Sequence, residues 1–78
     1  MQNFKLYTKS EVMKMALEIE GDICEIILKN VDDFSETMKM LYTANRFKSA
    51  IYERLELSQD EFNKICDEVV TEREKAKQ

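Results

Sequence analysis

Apolar residues recur with helical spacing in three stretches of the chain, and a helix-start signal precedes each stretch. The three signals are Thr8-Lys9-Ser10-Glu11, Asp33-Phe34-Ser35-Glu36 and Ser58-Gln59-Asp60-Glu61. In each signal the first side chain can accept a hydrogen bond from a first-turn backbone N–H, and the glutamate can accept one from the cap's own N–H. The pattern predicts an all-α fold, a small three-helix bundle in a single domain over residues 1–78. The helices are expected at about 9–29, 34–56 and 59–76.

The first helix is predicted from apolar residues spaced three or four positions apart across a glycine. They are Val12, Ala16, Ile19, Ile23, Ile26 and Ile27. Gly21 lies in mid-helix, where glycine costs about 1 kcal/mol relative to alanine. A β-hairpin with strands at 16–20 and 23–31 is therefore the alternative, whereas the unbroken spacing favours a helix. Asn30 is expected to end this helix in the left-handed conformation.

The rest of the chain supplies two further helices and a short extended N-terminal segment. Phe4 and Leu6 alternate with polar neighbours, so this segment is expected to pack across the bundle. The apolar positions of the second helix are Phe34, Met38, Leu41, Tyr42, Ala44, Phe47, Ile51, Tyr52 and Leu55. Those of the third are Phe62, Ile65, Cys66, Val69 and Val70.

Helices 1 and 2 carry more apolar surface than a monomer of this size needs. At about 100° per residue, apolar side chains cover roughly 140° of helix 3 but roughly 220° of helices 1 and 2. Helix 1 is apolar along Val12–Ile19–Ile23–Ile26 and again along Met13–Leu17–Cys24–Leu28. Assembly through surplus apolar faces of these two helices is expected, unless a compact monomer covers them. The surplus-edge contact residues are Met13, Leu17, Leu28, Met40 and Phe47, with Lys39, Arg46 and Arg54 as a basic rim.

Four polar residues fall inside these apolar arcs. A packed Glu20 would need Lys48, Arg73 or a partner's cation, because unpaired buried charges are costly. The alternative is that Lys48 and Arg73 extend to solvent along their aliphatic stems. Asn45 could set the register of a helical assembly or simply lie at an exposed rim.

Charge and residue types argue against several functions. The net charge is −4, and Lys and Arg are not clustered as phosphate binding requires, so a nucleic-acid partner is not expected. The chain has no His and one Gly, which argues against a usual zinc site or a phosphate-binding loop. No catalytic residue, cofactor or metal is predicted. Cys24 and Cys66 are expected to be buried thiols, with an inter-helix disulfide as the alternative. Without a signal peptide or membrane-spanning run, a cytoplasmic protein is expected.

Three local patterns resemble known families. The pairs Asp22/Glu25 and Glu53/Glu56 have the spacing of the magnesium-binding pairs of all-α nucleotide pyrophosphohydrolases, although only the spacing matches. The segment 55–62, Leu-Glu-Leu-Ser-Gln-Asp-Glu-Phe, resembles the opening of phage-repressor helix-turn-helix domains. No recognition helix follows it, so it is better interpreted as a helix cap.

Residues 2–7, followed by Glu11-Val12 and Gly21, resemble the ribbon–helix–helix repressors. This resemblance implies a DNA-binding dimer in which Asn3, Lys5 and Tyr7 read the major groove and Gly21 forms the turn between two helices. The acidic residues Asp22 and Glu25 would then lie where this family binds a phosphate, and they would repel DNA.

The expected function is protein–protein binding by a small non-enzymatic helical protein. The partner is expected to be another protein, a second copy, or both, with a dimer as the first expectation and no membrane. Plentiful Lys, Ile, Asn, Met, Phe and Tyr indicate AT-rich codons, as in a low-GC bacterium or its phage. Proteins of this kind often serve as phage or mobile-element regulators and inhibitors. The alternative is a dimeric ribbon–helix–helix-like transcriptional regulator.

Overall fold

A computed structural model describes residues 6–76, which form three α-helices. They are α1 (Lys9–Asn30), α2 (Phe34–Leu55) and α3 (Gln59–Ala76), and the described residues contain no strand. The all-α prediction is confirmed, with every helix end within one residue of its expected position. Phe4 and the rest of residues 1–5 lie outside the described part. Leu6 is 88% exposed, so the described end of the N-terminal segment does not cover the bundle.

Each helix begins at its predicted cap. At α1 the bonds are reciprocal: the Glu11 N–H donates to Thr8 Oγ1 (3.1 Å), and the Thr8 N–H donates to Glu11 Oε1 (2.8 Å). At α2 the Glu36 N–H donates to Asp33 Oδ2 (2.8 Å). At α3 the Glu61 N–H donates to Ser58 Oγ (3.1 Å). A cap of this kind stabilises a helix by about 1 kcal/mol. The segment resembling a helix-turn-helix opening is thus the end of α2 and the cap of α3.

The conformation at the C-terminal end of α1 differs from the prediction. Asn30 is helical, and its Nδ2 donates to the Ile26 carbonyl (2.7 Å), so a side chain satisfies an end group that a left-handed residue would otherwise serve. The chain then leaves α1 extended at Val31 (φ −112°, ψ 118°). The left-handed residue instead lies after α2, at Glu56 (φ 55°, ψ 41°).

α1 continues unbroken through Gly21, which corrects two of the alternatives. The β-hairpin over 16–31 is absent, and so is the turn that the ribbon–helix–helix resemblance places at Gly21. Of the residues which that resemblance assigns to DNA reading, Asn3 and Lys5 lie outside the described residues, and Tyr7 is half-exposed.

The core lies between α1 and α3, with the C-terminal half of α2 closing it. Its buried members are Met13, Ala16, Leu17, Ile65 and Val69, surrounded by Ile51, Tyr52, Leu55, Leu57, Phe62 and Cys66. α2 packs antiparallel to α1, and α3 packs parallel to α1. α2 and α3 contact each other much less. Near their connection the rings of Tyr52 and Phe62 are 4.5 Å apart between centroids.

The structure reverses the expected roles of the two apolar lines of α1. Met13 is fully buried and Leu17 is 7% exposed, so both are core residues rather than surplus-edge residues. Ile19, Ile23 and Ile26, on the other line, are 40–61% exposed. The prediction of excess apolar surface holds for α1, but apart from Leu28, which is 63% exposed, that surface belongs to the opposite edge.

Candidate functional site

One side of α1 is bound to α3 by ion pairs. Lys14 Nζ lies 2.6 Å from Glu72 Oε1 and 3.8 Å from Glu68 Oε2. The hydrogen bond to Glu72 raises the pKa of Lys14, with the charges of neighbouring carboxylates adding to it. These contacts join the first half of α1 to the middle of α3, and they fix which side of α1 faces α3.

Arg73 makes the second attachment of α3 to α1, at a position one turn after Leu17 along α1. Its Nη2 lies 2.7 Å from Asp22 Oδ1 and donates to the Glu18 carbonyl (2.8 Å), and its Nη1 lies 3.2 Å from Glu25 Oε1. A Cβ on Gly21 would come within 2.8 Å of three guanidinium atoms. The mid-helix glycine therefore gives the guanidinium room against the backbone of α1. Arg73 pairs with Asp22 and Glu25, and not with Glu20 as one expectation had it.

This arrangement accounts for the Asp22/Glu25 pair. The two carboxylates that have the spacing of a magnesium pair hold the guanidinium of Arg73. Within residues 6–76, no three His, Cys, Asp or Glu side chains come together as a set of metal ligands.

The side of α1 away from α3 forms an apolar groove with α2. The groove has a volume of about 560 Å³ and is lined by Ile23, Ile26, Ile27, Met40, Thr43, Ala44 and Phe47. Ile27 and Ala44 are buried and form its floor, while the other residues are exposed walls. Ile19 and Met15, 50% and 37% exposed, continue the apolar surface along α1. We call the surface formed by Met15, Ile19, Ile23, Ile26, Met40 and Phe47 the outer face.

Helix geometry separates the outer face from the side that holds α3. At about 100° per residue, Ile19 and Ile26 project roughly 120–160° away from Gly21 and Lys14, which contact α3. α3 therefore cannot cover the outer face without losing its ion pairs. The described residues before α1, Leu6–Thr8, are exposed as well.

The structure places the predicted contact residues in three different environments. Met40 and Phe47 belong to the outer face, 43% and 41% exposed. Leu28 is exposed at a separate position, next to Glu25, Lys29, Arg73 and Ala76. Met13 and Leu17 lie in the core.

The predicted basic rim is exposed along α2. Lys39 lies 3.8 Å from Glu36, and the guanidinium carbon of Arg46 lies 6.0 Å from the centre of the Tyr42 ring. Arg54 and Asn45 are exposed too, which agrees with a rim position for Asn45. None of these positions identifies a partner.

Sequence reasoning missed Ile19, Ile23 and Ile26 as exposed residues. A mid-helix glycine often marks a close approach of another group. Gly21 shares its side of the helix with Leu17 and Leu28, so this signal could have identified the packed edge of α1.

Both cysteines are free, partly buried thiols. Burial raises the pKa of Cys24, and the nearby Glu20 carboxylate, 3.6 Å from Cys24 Sγ, raises it further. Burial also raises the pKa of Cys66. The positive charge of Lys48, which lies on α2, acts in the opposite direction on the pKa of both thiols. Thiols with a raised pKa remain protonated at neutral pH and are poor nucleophiles.

Comparison with protein-family models, with curated proteins and with solved structures finds no match for this chain. Among the described residues, none of the three helices combines the length and the apolar character needed to cross a membrane. Any functional argument therefore depends on the surface chemistry of this molecule.

Proposed function

We propose that this chain is a small non-enzymatic binding protein whose outer face packs against another polypeptide chain. The observation that carries the proposal is the apolar groove between α1 and α2, whose walls are exposed although its floor is buried. Exposed apolar patches with a polar rim mark interaction sites in soluble proteins. Arg46 and Lys39 supply such a rim along α2.

The composition of the groove favours binding over catalysis. Thr43 is the one polar residue among the described side chains that line it, and none of these side chains is titratable. Catalytic sites usually combine an apolar cavity with several converging polar groups. An apolar groove with a single hydroxyl suits the side chains of a packed helix.

A role as a regulator or inhibitor agrees with such a surface, because binding alone would carry it out. We also propose a reducing, cytoplasmic location, which the two free thiols support. A bacterial or phage source rests on the residue composition alone.

Site-specific photocrosslinking in the native cell tests the proposal. A photoreactive phenylalanine analogue at Ile26 or Phe47 should give a covalent adduct with a defined polypeptide, identified by mass spectrometry. The same analogue at Val70, which is exposed on α3 at 54%, is the matched control. Each adduct should disappear when the substitution Ile19→Glu is made in the same chain as the photoreactive residue. If neither outer-face position gives a specific adduct in cells and in the purified protein, the proposal is wrong.

A further inference from the structure

We propose that the chain covering the outer face is a second copy of this protein. The two copies would be related by a two-fold axis parallel to the helices, so that α1 of each copy packs on α2 of the other. This inference rests on the proposed function and names its partner. The product would be a four-helix bundle of two α1–α2 hairpins packed face to face, with α3 on the outside of each copy.

Opposite charges on the two edges of the outer face support a self-complementary interface. On α1, Glu18 and Asp22 are one turn apart, beside Ile19 and Ile26. The carboxylate of Asp22 is 70% exposed even though it contacts Arg73. On α2 the opposite edge is net basic: it carries Lys39, Arg46 and Arg54 together with Glu36 and Glu53, and Lys39 lies 3.8 Å from Glu36. A surface with an acidic edge on one helix and a basic edge on the other can satisfy both edges with its own copy.

The charges also select the direction of the two-fold axis. An axis parallel to the helices places the acidic edge of α1 against the basic edge of α2 in the other copy. An axis across the helices would instead oppose acidic edge to acidic edge and basic edge to basic edge. Asp22 and Arg46 lie at about the same height on the antiparallel hairpin, so the first arrangement brings them together twice. Lys29, the cation of the α1 edge, lies near the height of Glu36 on α2, so the same axis brings these two opposite charges of different copies together.

The accessible surface of the chain is large enough for such an interface. The chain exposes 6401 Å², whereas a compact monomer of 9.3 kDa exposes about 5000 Å². The excess, about 1400 Å², exceeds the roughly 800 Å² that each partner buries in a standard interface. Leu6, Phe34 and Leu28, which lie off the outer face, contribute to this excess, so the total is compatible with a dimer interface but is not assigned to the outer face alone.

Light scattering coupled to size exclusion tests the second copy directly. The purified chain should have twice the 9.3 kDa mass of one chain. Ile26→Glu should raise the dimer Kd by about a hundredfold, because each copy would bury a carboxylate at the centre of the interface. Val70→Glu is the matched control, since Val70 is 54% exposed and Ile26 is 61% exposed. Circular dichroism should show unchanged helicity in both variants.

A charge exchange tests the direction of the axis. Arg46→Glu alone and Asp22→Arg alone should each weaken the dimer, because each creates two like-charge contacts. An equimolar mixture of the two variants should recover the dimer, because both contacts between unlike variants join opposite charges. A mixture that stays as weak as its components would overturn this axis. Asp22→Asn is the control for losing the Arg73 contact without reversing charge.

The outcomes separate this inference from the proposed function. A monomer at all protein concentrations, together with a cellular crosslink from Ile26 to a different protein, would overturn the second copy and leave the binding function standing. A dimer that Ile26→Glu and Val70→Glu weaken equally would overturn the outer face as the dimer interface. A monomer with no crosslink from the outer face would overturn both proposals.

Discussion

The two sides of α1 are similarly apolar, yet one is core and the other is exposed. Met13 and Leu17 are buried against α3, while Ile19 and Ile26, on the opposite side, are at least half exposed. The exposed side is, if anything, the more hydrophobic, because it carries isoleucines. Apolar character alone therefore does not decide which side a neighbouring helix covers.

The difference comes from polar contacts and from local room. On the buried side, Lys14 and Arg73 join α1 to α3 through carboxylates, and Gly21 allows the guanidinium to approach the backbone. The outer side has no such attachment to α3 among the described residues. Burial supplies most of the free energy of packing, whereas these polar contacts select the side.

The largest expected effect comes from two methionines that lie on opposite sides of α1, one in the core and one on the outer face. Met13→Ala should lower the free energy of unfolding by about 3 kcal/mol, because it leaves a cavity in the core. Met15→Ala, on the outer face at 37% exposure, should cost under about 1 kcal/mol in the monomer. Urea unfolding at several protein concentrations measures both values and separates any contribution from association. Equal losses in the two variants would contradict the assignment of the core.

The next largest effect is on stability, and it tests the contacts that Arg73 makes with α1. Arg73→Met should cost about 1–2 kcal/mol, since the side chain is 28% exposed and makes charge-assisted hydrogen bonds. Gly21→Ala should bring little or no gain in the native background, because its methyl group displaces the guanidinium. In the Arg73→Met background the same change should stabilise the protein by about 1 kcal/mol, the helix-propensity difference.

A double-mutant cycle over these two positions gives the coupling free energy by urea unfolding. A stabilisation by Gly21→Ala that is the same in both backgrounds would show that the glycine does not serve Arg73. Gly21→Ala combined with Lys75→Met is the control, because Lys75 is exposed on the same turn of α3 as Arg73.

The smallest effect is a loss of stability in alkaline solution. The pKa values of Cys24 and Cys66 are raised above their ordinary 9.0 by burial. The folded state thus binds these protons more tightly than the unfolded state. Their contribution is fully present below pH 9 and is lost as the pH rises through the folded-state pKa values. Lys14, whose pKa is raised from 10.5, adds a further loss at still higher pH.

Urea midpoints at pH 8 and pH 10 measure this alkaline loss. A Cys24→Ala/Cys66→Ala double variant should show a shallower decrease between the two values. An unchanged decrease would assign the effect to other groups.

The sequence by itself determined the three helices and where each begins. A cap such as Thr8 with Glu11 is a local interaction between residues three apart, so its geometry follows from the order of side chains. The amount of surplus apolar surface could be counted for the same reason, because helical spacing fixes the angle of each residue. Met40 and Phe47 were placed correctly on an exposed apolar edge by this count.

Only the tertiary structure decided which edge of α1 is core and which residue of α3 pairs with Asp22. The apolar spacing of Met13 and Ile26 does not distinguish them, and the position of Gly21 is the one local sign of the packed edge, because burial depends on a helix that arrives about fifty residues later. Arg73 is 51 residues from Asp22, and no local pattern of α1 marks it as the partner of Asp22. Contacts over such distances depend on how whole helices pack, and that is the information that local periodicity does not contain.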